Sequence, residues 1–269
     1  MNRAASPPRH RSVYAWRAKL GLIVPPTNTV NEAEWSRLVP EGVTFHTMRM
    51  KLHADTVSPA GKAELWRDLV ATMADLAPAR VDVIAYACTA GSMINPPEQL
   101  PEAMHRQSGI ASLTTAAAIV RALRALRVKR VAVATPYHDA LNEHERHFLA
   151  ECGIKITRIR GLGIGATGPA DYVRIAQTPL EVVADLARDV MSEAAQAVLL
   201  SCTDFPTLPL IPVLEAEFGV PVVSSNTATL WAALRDAGIG DRVNGAGQLF
   251  AEAGADDAQG PPGLERPKV

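Results

Sequence analysis

Cys88 and Cys202 are the side chains best suited to covalent chemistry in this chain, and each is followed by a threonine. Each also closes an apolar run, Val81 to Ala87 in one case and Ala197 to Ser201 in the other. A free thiol has a pKa of about 8.5. A strand-to-helix junction favours the thiolate, because helix N-terminal N–H groups and the helix dipole stabilise negative charge. Two thiols at equivalent junctions suit nucleophilic or proton-transfer chemistry. Cys152, in Leu-Ala-Glu-Cys-Gly at a helix end, is expected to be a small buried apolar group. Three cysteines argue against a disulfide framework and for a reducing, cytoplasmic compartment.

Polar donors accompany the two thiols in the same linear motifs. Asn28 and Thr29, Thr89 and Ser92, Tyr137, Thr203, and Ser224 to Thr227 all fall in loops that end apolar runs, and none of these loops contains Lys or Arg. Hydroxyls and backbone N–H groups at helix N-termini would have to hold an anionic ligand there, although the same residue types serve as ordinary N-caps. Asn28, Tyr137 and Thr203 stand out from the group by position, and Thr89 and Ser225 complete the expected substrate contacts. Asp204 could tune the proton affinity of Cys202 or cap the following turn. His138 could assist Tyr137, whereas His144 and His147 read as solvated positions on a polar helix. His46 and His53 flank Met48-Arg-Met-Lys-Leu, a strand-and-loop stretch.

Other chemistries lack their residues. The cysteines have no metal-ligand spacing, so no metal is expected. Gly161-Leu-Gly-Ile-Gly-Ala is a strand and turn rather than a phosphate-binding loop, and no cofactor is expected. With 27 Lys+Arg against 28 Asp+Glu and only 5% aromatics, the chain offers neither a basic patch nor a stacking platform for nucleic acid. No apolar run approaches the roughly 18 residues of a membrane span.

The elements that must position the thiols repeat. Leu20 to Val24 entering Pro-Pro-Thr-Asn matches Val131 to Ala134 entering Thr-Pro-Tyr-His, with Pro26 and Pro136 standing 110 residues apart. The two Cys-Thr pairs lie 114 apart. Gly109-Ile-Ala-Ser-Leu-Thr-Thr before an Ala116 to Leu126 helix matches Gly219-Val-Pro-Val-Val-Ser-Ser before a Thr227 to Ala237 helix. Helical spacing also marks Pro59 to Leu76, Ala140 to Cys152 and Pro179 to Glu193. Strands alternating with helices predict an α/β fold with parallel sheets. The expected organisation is an extension at 1–17, two lobes at 18–127 and 128–240 related by an approximate twofold, and a flexible tail at 241–269. Each lobe is a short parallel sheet flanked by helices. Ligands bind beyond the carboxyl ends of parallel strands, so the active site is expected between the lobes, with Cys88 and Cys202 facing each other. Thr29 to Trp35 and Thr167 to Tyr172 are candidate covers for it.

These motifs resemble the aspartate/glutamate racemase superfamily, and within it the maleate cis–trans isomerase and arylmalonate decarboxylase branch. The resemblance rests on Pro25-Pro-Thr-Asn-Thr, Met48-Arg-Met-Lys-Leu-His, Thr56-Val-Ser-Pro-Ala-Gly, Tyr86-Ala-Cys, Thr135-Pro-Tyr and Ser201-Cys, in that order along nearly the whole core. It implies a cofactor- and metal-independent homodimer or higher homo-oligomer acting on a small dicarboxylate or related acid. Carried over by position, Cys88 is the nucleophile, Cys202 its acid/base partner, and Asn28 and Tyr137 bind substrate. Two departures stand out. Maleate isomerases bring an Asn from the loop that here reads Gly163-Ile-Gly-Ala-Thr-Gly-Pro-Ala-Asp-Tyr, and arylmalonate decarboxylase has Gly where this chain has Cys88.

The leading expectation is isomerisation of maleate, or a close cis-enedioate, to fumarate through a cysteine adduct. The alternatives are a two-cysteine racemase of an aspartate/glutamate-type acid, including one of ectoine catabolism, an arylmalonate-type decarboxylase, and a two-lobed protein that only binds a small acid.

Overall fold

The computed structural model describes residues 9–53, 55–56 and 58–252. Its first half runs β1 (Ala18–Val24), α1 (Asn31–Leu38), β2 (Val43–Arg49), α2 (Pro59–Leu76), β3 (Val83–Tyr86), α3 (Thr89–Ser92), α4 (Gln99–Ser108), β4 (Ala111–Thr114) and α5 (Thr115–Ala125). The second runs β5 (Arg130–Tyr137), α6 (Asp139–Glu151), β6 (Lys155–Ile164), α7 (Leu180–Val190), β7 (Ala197–Leu200), α8 (Ile211–Phe218), β8 (Val222–Ser224), α9 (Ser225–Asp236) and the short α10 (Gln248–Glu252). The strands form two four-stranded sheets with the same order, β2-β1-β3-β4 and β6-β5-β7-β8. All pairings are parallel. The matched motifs thus become matched strands.

Parallel strands covered on both faces are written as continuous apolar runs, and the central strands comply. Val83 to Tyr86 and Ala197 to Leu200 are buried throughout. One further residue, Ala87 or Ser201, brings the chain to its Cys-Thr pair at the carboxyl end of each strand.

Helix α9 joins the two halves. Ten of its twelve residues are buried, including polar Ser225, Asn226, Thr227 and Thr229, so it has no solvent face. It packs against the alanine-rich α5, which permits close approach, and reaches β3 and β4 of the opposite sheet. The Thr229 and Thr115 hydroxyls meet at 3.0 Å, and Thr229 donates its hydrogen to the Ser225 carbonyl at 2.7 Å. A reciprocal Ser224/Thr227 capping box starts the helix.

Both ends differ from expectation within the described residues. In the stretch expected as an extension, Arg9 Nη1 donates to the Ala237 carbonyl at 2.8 Å, and Arg17 pairs with Asp241 at 2.5 Å. His10 Nε2 lies 2.7 Å from Asp82 Oδ2. In the expected tail, Ala246, Leu249 and Phe250 are buried. Local Gly and Pro content hid these contacts, because their partners lie in other elements. Residues 1–8 and 253–269 lie outside the described residues.

Candidate active site

Cys88 leaves β3 as the N-cap of α3, where its Sγ accepts from the Gly91 N–H at 3.4 Å. Cys202 leaves β7 with φ +145, a strained value for a residue carrying a Cβ. The strained backbone is held by a hydrogen bond from Cys202 N to Ser225 Oγ at 2.9 Å. Both thiols are free and line one cavity of about 300 Å³ between the two sheets.

Each sulfur has a tyrosine. The Tyr86 hydroxyl lies near enough to Cys88, and the Tyr137 hydroxyl to Cys202, to ease charge on the sulfur. Burial pushes both thiols up from their ordinary range, Cys202 to about 12, while these hydroxyls and the Gly91 and Asp204 N–H groups oppose the rise. The same burial, with thiolate charge nearby, holds both tyrosines well above their ordinary value. They are therefore hydrogen-bond donors across the neutral range.

Gly91 keeps room for this arrangement. A Cβ there would lie 2.5 Å from Tyr86 Oη and 3.1 Å from Cys88 Sγ. Gly91→Ala is expected to displace the Tyr86 hydroxyl and slow reaction at Cys88 about tenfold, one lost donor to a developing charge. Alkylation of Cys88 by iodoacetamide checks this; an unchanged rate would show that the hydroxyl does not assist the sulfur. Gly161 has a comparable reason to lack a side chain, since its Cβ would lie 2.0 Å from the Tyr137 carbonyl.

Of the other expected substrate contacts, Asn28, Thr89, Tyr137 and Thr203 line the cavity. Two of them have their hydroxyl hydrogens committed elsewhere: Thr89 donates to Ser225 Oγ at 3.0 Å and Thr203 to the Ala87 carbonyl at 3.1 Å. Asn28 is oriented by its own loop. Its Oδ1 accepts from Val30 and Asn31 N–H, and Nδ2 donates to Thr203, leaving one amide hydrogen toward a ligand. Ser225 does not line the cavity. It is fully buried and ties Thr89 to the Cys202 backbone, so the expectation of substrate contact gives way to a framework role.

Histidines line the cavity as well. His144, expected in solvent, lines the cavity and bonds the Met93 carbonyl at 3.1 Å. His53 lines it too, 3.1 Å from Asp68, as does His138. No lysine or arginine does so among the described residues. The chain from Thr29 to Trp35, a candidate cover, is instead anchored: Glu34 accepts from Thr207 and Leu208 N–H at 2.6 and 2.7 Å, and Trp35 Nε1 donates to the Asn226 carbonyl. Tyr172, in the second candidate cover, lines the cavity with Ile175.

Asp204, read from the sequence as a residue that tunes Cys202 or caps the following turn, reaches the other lobe. Its Oδ1 accepts from Thr29 and Val30 N–H at 2.8 and 3.3 Å, clasping the opposite lobe, while Oδ2 is buried with no hydrogen-bond partner. Burial pushes this carboxyl up to about 6.

Comparison with known proteins gives a consistent set of relatives. The family model described as arylmalonate decarboxylase matches residues 20–250. A maleate isomerase of Nocardia farcinica is 34% identical over 250 residues, covering 88% of this chain and 97% of that protein. The arylmalonate decarboxylase of Bordetella bronchiseptica is also 34% identical, over 240 residues, covering 87% and 97%. Among solved structures, a cysteine-to-serine mutant of the Nocardia farcinica maleate cis-trans isomerase with a covalently bound succinylcysteine intermediate superposes with a TM-score of 0.76. It is 32% identical and the match covers 87% of this chain and 98% of that one.

Proposed function

Since the chain belongs to the arylmalonate decarboxylase family, we propose that its cavity isomerises maleate, or a close cis-enedioate, to fumarate through a covalent adduct on Cys88. The observation that carries this reading is the presence of two thiols, each with a tyrosine hydroxyl near its sulfur, lining one cavity. The succinylcysteine intermediate in a structural relative supports the same chemistry.

Cys88 gives up its proton to solvent and its thiolate sulfur adds to one alkene carbon. The π pair moves toward the neighbouring carboxylate as an enolate, and the Cys202 thiol protonates the adjacent carbon, giving a succinyl thioether. The central bond is now single and rotates. Cys202 takes a proton back, the electron pair re-forms the double bond, and Cys88 leaves as thiolate. No oxidant or reductant enters this balance. Tyr86 and Tyr137 offset charge on the sulfurs, while Asn28 Nδ2 and the unpaired N–H groups of the first turn of α3 hold carboxylate oxygens.

Proton NMR of the reduced protein with maleate tests this. Fumarate should appear, and kcat/KM should still climb at pH 9, because burial raises the Cys88 thiol above its ordinary value and the reactive thiolate grows with pH. A folded, reduced protein that leaves maleate unchanged would overturn the assignment. Racemisation of an amino or related acid, with solvent deuterium entering Cα, would replace it with two-base chemistry on the same thiols. Decarboxylation of a substituted malonate would align the chain with its decarboxylase relative.

A further inference from the structure

The two cysteines arise from matching motifs, yet the chemistry above asks one to ionise and the other to stay protonated. The repeats differ at the next position but one. Cys88-Thr89-Ala90 meets Cys202-Thr203-Asp204, so the first loop has a methyl group where the second has a carboxylate. Both positions line the cavity. We infer that Asp204 is the positioning residue that assigns these equivalent thiols their roles: its carboxylate keeps Cys202 as the proton donor and leaves Cys88 as the thiol that ionises.

The geometry holds Asp204 in the turn that carries the sulfur and turns its carboxylate to the same cavity. The Asp204 N–H points to Cys202 Sγ at 3.4 Å, so residue and thiol belong to one turn. Its Oδ1 is held by the Thr29 and Val30 N–H groups of the other lobe, and Oδ2 is buried without a hydrogen-bond partner to disperse its charge. A second negative charge on Cys202 would form against it at low local dielectric. The direction of the shifts agrees: burial is the largest cause raising Cys202 and Asp204 charge adds to it, whereas Asp204 is not among the causes acting on Cys88.

Other charged and titratable groups face both centres. Tyr137 of β5 and Cys88 face Cys202, and Tyr86 of β3 faces Cys88. Tyr172 feels both sulfurs. Glu145 of α6 acts on Tyr137, and Arg49 of β2 acts on Asp204. His53, His138 and His144 line the shared cavity. Among the carboxylates of the described residues, only Asp204 lines it.

The inference rests on the reading of Cys88 and Cys202 as the reacting pair, but its test needs no substrate. Iodoacetamide alkylation is followed by mass spectrometry against pH. Cys202 is measured in the full chain carrying Cys88→Ala, Cys88 in the chain carrying Cys202→Ala, with Cys152 as internal reference in both. Cys202 should react more slowly than Cys88 at every pH from 7 to 9. Asp204→Asn keeps the Oδ1 acceptor for Thr29 and Val30; it should speed alkylation of Cys202 about tenfold and change Cys88 less than about twofold, the effect of removing one nearby charge. Ala90→Asp, at a half-buried position with room toward the cavity, should slow Cys88 by a similar factor. Equal reactivity of the two thiols, or a Cys202 rate indifferent to Asp204→Asn, would overturn the inference. A rise shared by Cys152 would also count against it, as general loosening rather than charge. Failure of maleate turnover with these rates as expected would remove the substrate assignment and leave the role of Asp204 intact.

Discussion

Cys88→Ala is expected to remove fumarate formation from maleate, lowering kcat/KM by at least about 10⁴-fold, as loss of an attacking nucleophile does in other enzymes. The remaining donors would still bind the dianion, so KM should change far less than kcat. The substitution costs little structure: Cys88 sits at a cavity wall, 6% exposed, and shortening it removes one heavy atom, worth about 1 kcal/mol of burial. Loss of activity with an unchanged melting profile therefore reports chemistry. Cys202→Ser makes the complementary prediction. The group that takes the proton back from the adduct is weakened while the nucleophile remains, so maleate should accumulate on Cys88 as a thioether, visible as the added mass of one maleic acid. A Cys88→Ala protein that retains turnover would remove this residue as nucleophile. Loss of activity in both variants, with no adduct in either, would favour proton exchange between two bases.

The two matched halves were legible because a repeat is a statement about backbone. Short apolar runs entering Pro-, Cys-Thr- and Ser-rich loops at one spacing became β1 and β5, β3 and β7, β4 and β8 in sheets of the same order. Helix Pro59–Leu76 has the bounds its apolar spacing predicts, since Ser58 caps it and Pro59 opens it. What the linear pattern could not carry is the content of the space between the sheets. Ser225 has the residue type and loop position of a ligand contact, yet α9 carries it inward, where it serves Thr89 and Cys202. Glu34 lies in the Thr29 to Trp35 stretch expected as a cover. Its partners Thr207, Leu208 and Asn226 are more than 170 residues away in sequence, and they bury it at 3% exposure. His144 reads as solvated from its own helix, and only the neighbouring lobe makes its side a cavity wall. In each case periodicity describes one element, whereas function arises where elements from both halves meet.

Glu145→Gln is expected to stabilise the protein at pH 8 by about 1–3 kcal/mol, a gain that fades as the pH is lowered. Glu145 projects from α6 behind the cavity and is 1% exposed. The Ser201 hydroxyl lies near enough to ease its charge, but neither Ser201 Oγ nor Glu145 Oε2 makes a sound hydrogen bond. Burial dominates and pushes the carboxyl from 4.5 to about 7. The folded state thus holds this proton more tightly than the unfolded chain. Below pH 4.5 both states are protonated and the group costs nothing; as pH rises toward 7 the unfolded chain ionises first and stability falls; above 7 the cost is complete. A shift of this size corresponds to about 3 kcal/mol, and imperfect partners for the glutamine amide reduce the gain. For a chain of this length that amounts to roughly 2–10 °C in Tm. Thermal melts of both proteins at pH 5 and pH 8 separate this from simple repacking. About a quarter of the electrostatic gain should remain at pH 5, and the contribution of Asp204 cancels because both proteins carry it. A Tm difference of the same size at both pH values would mean that Glu145 is not held as a costly ion. The charge has a counterpart at the site, where Glu145 adds to the forces that keep Tyr137 protonated beside Cys202. The more stable glutamine variant should therefore gain nothing in turnover, as when a strained active-site group is relaxed at a functional position.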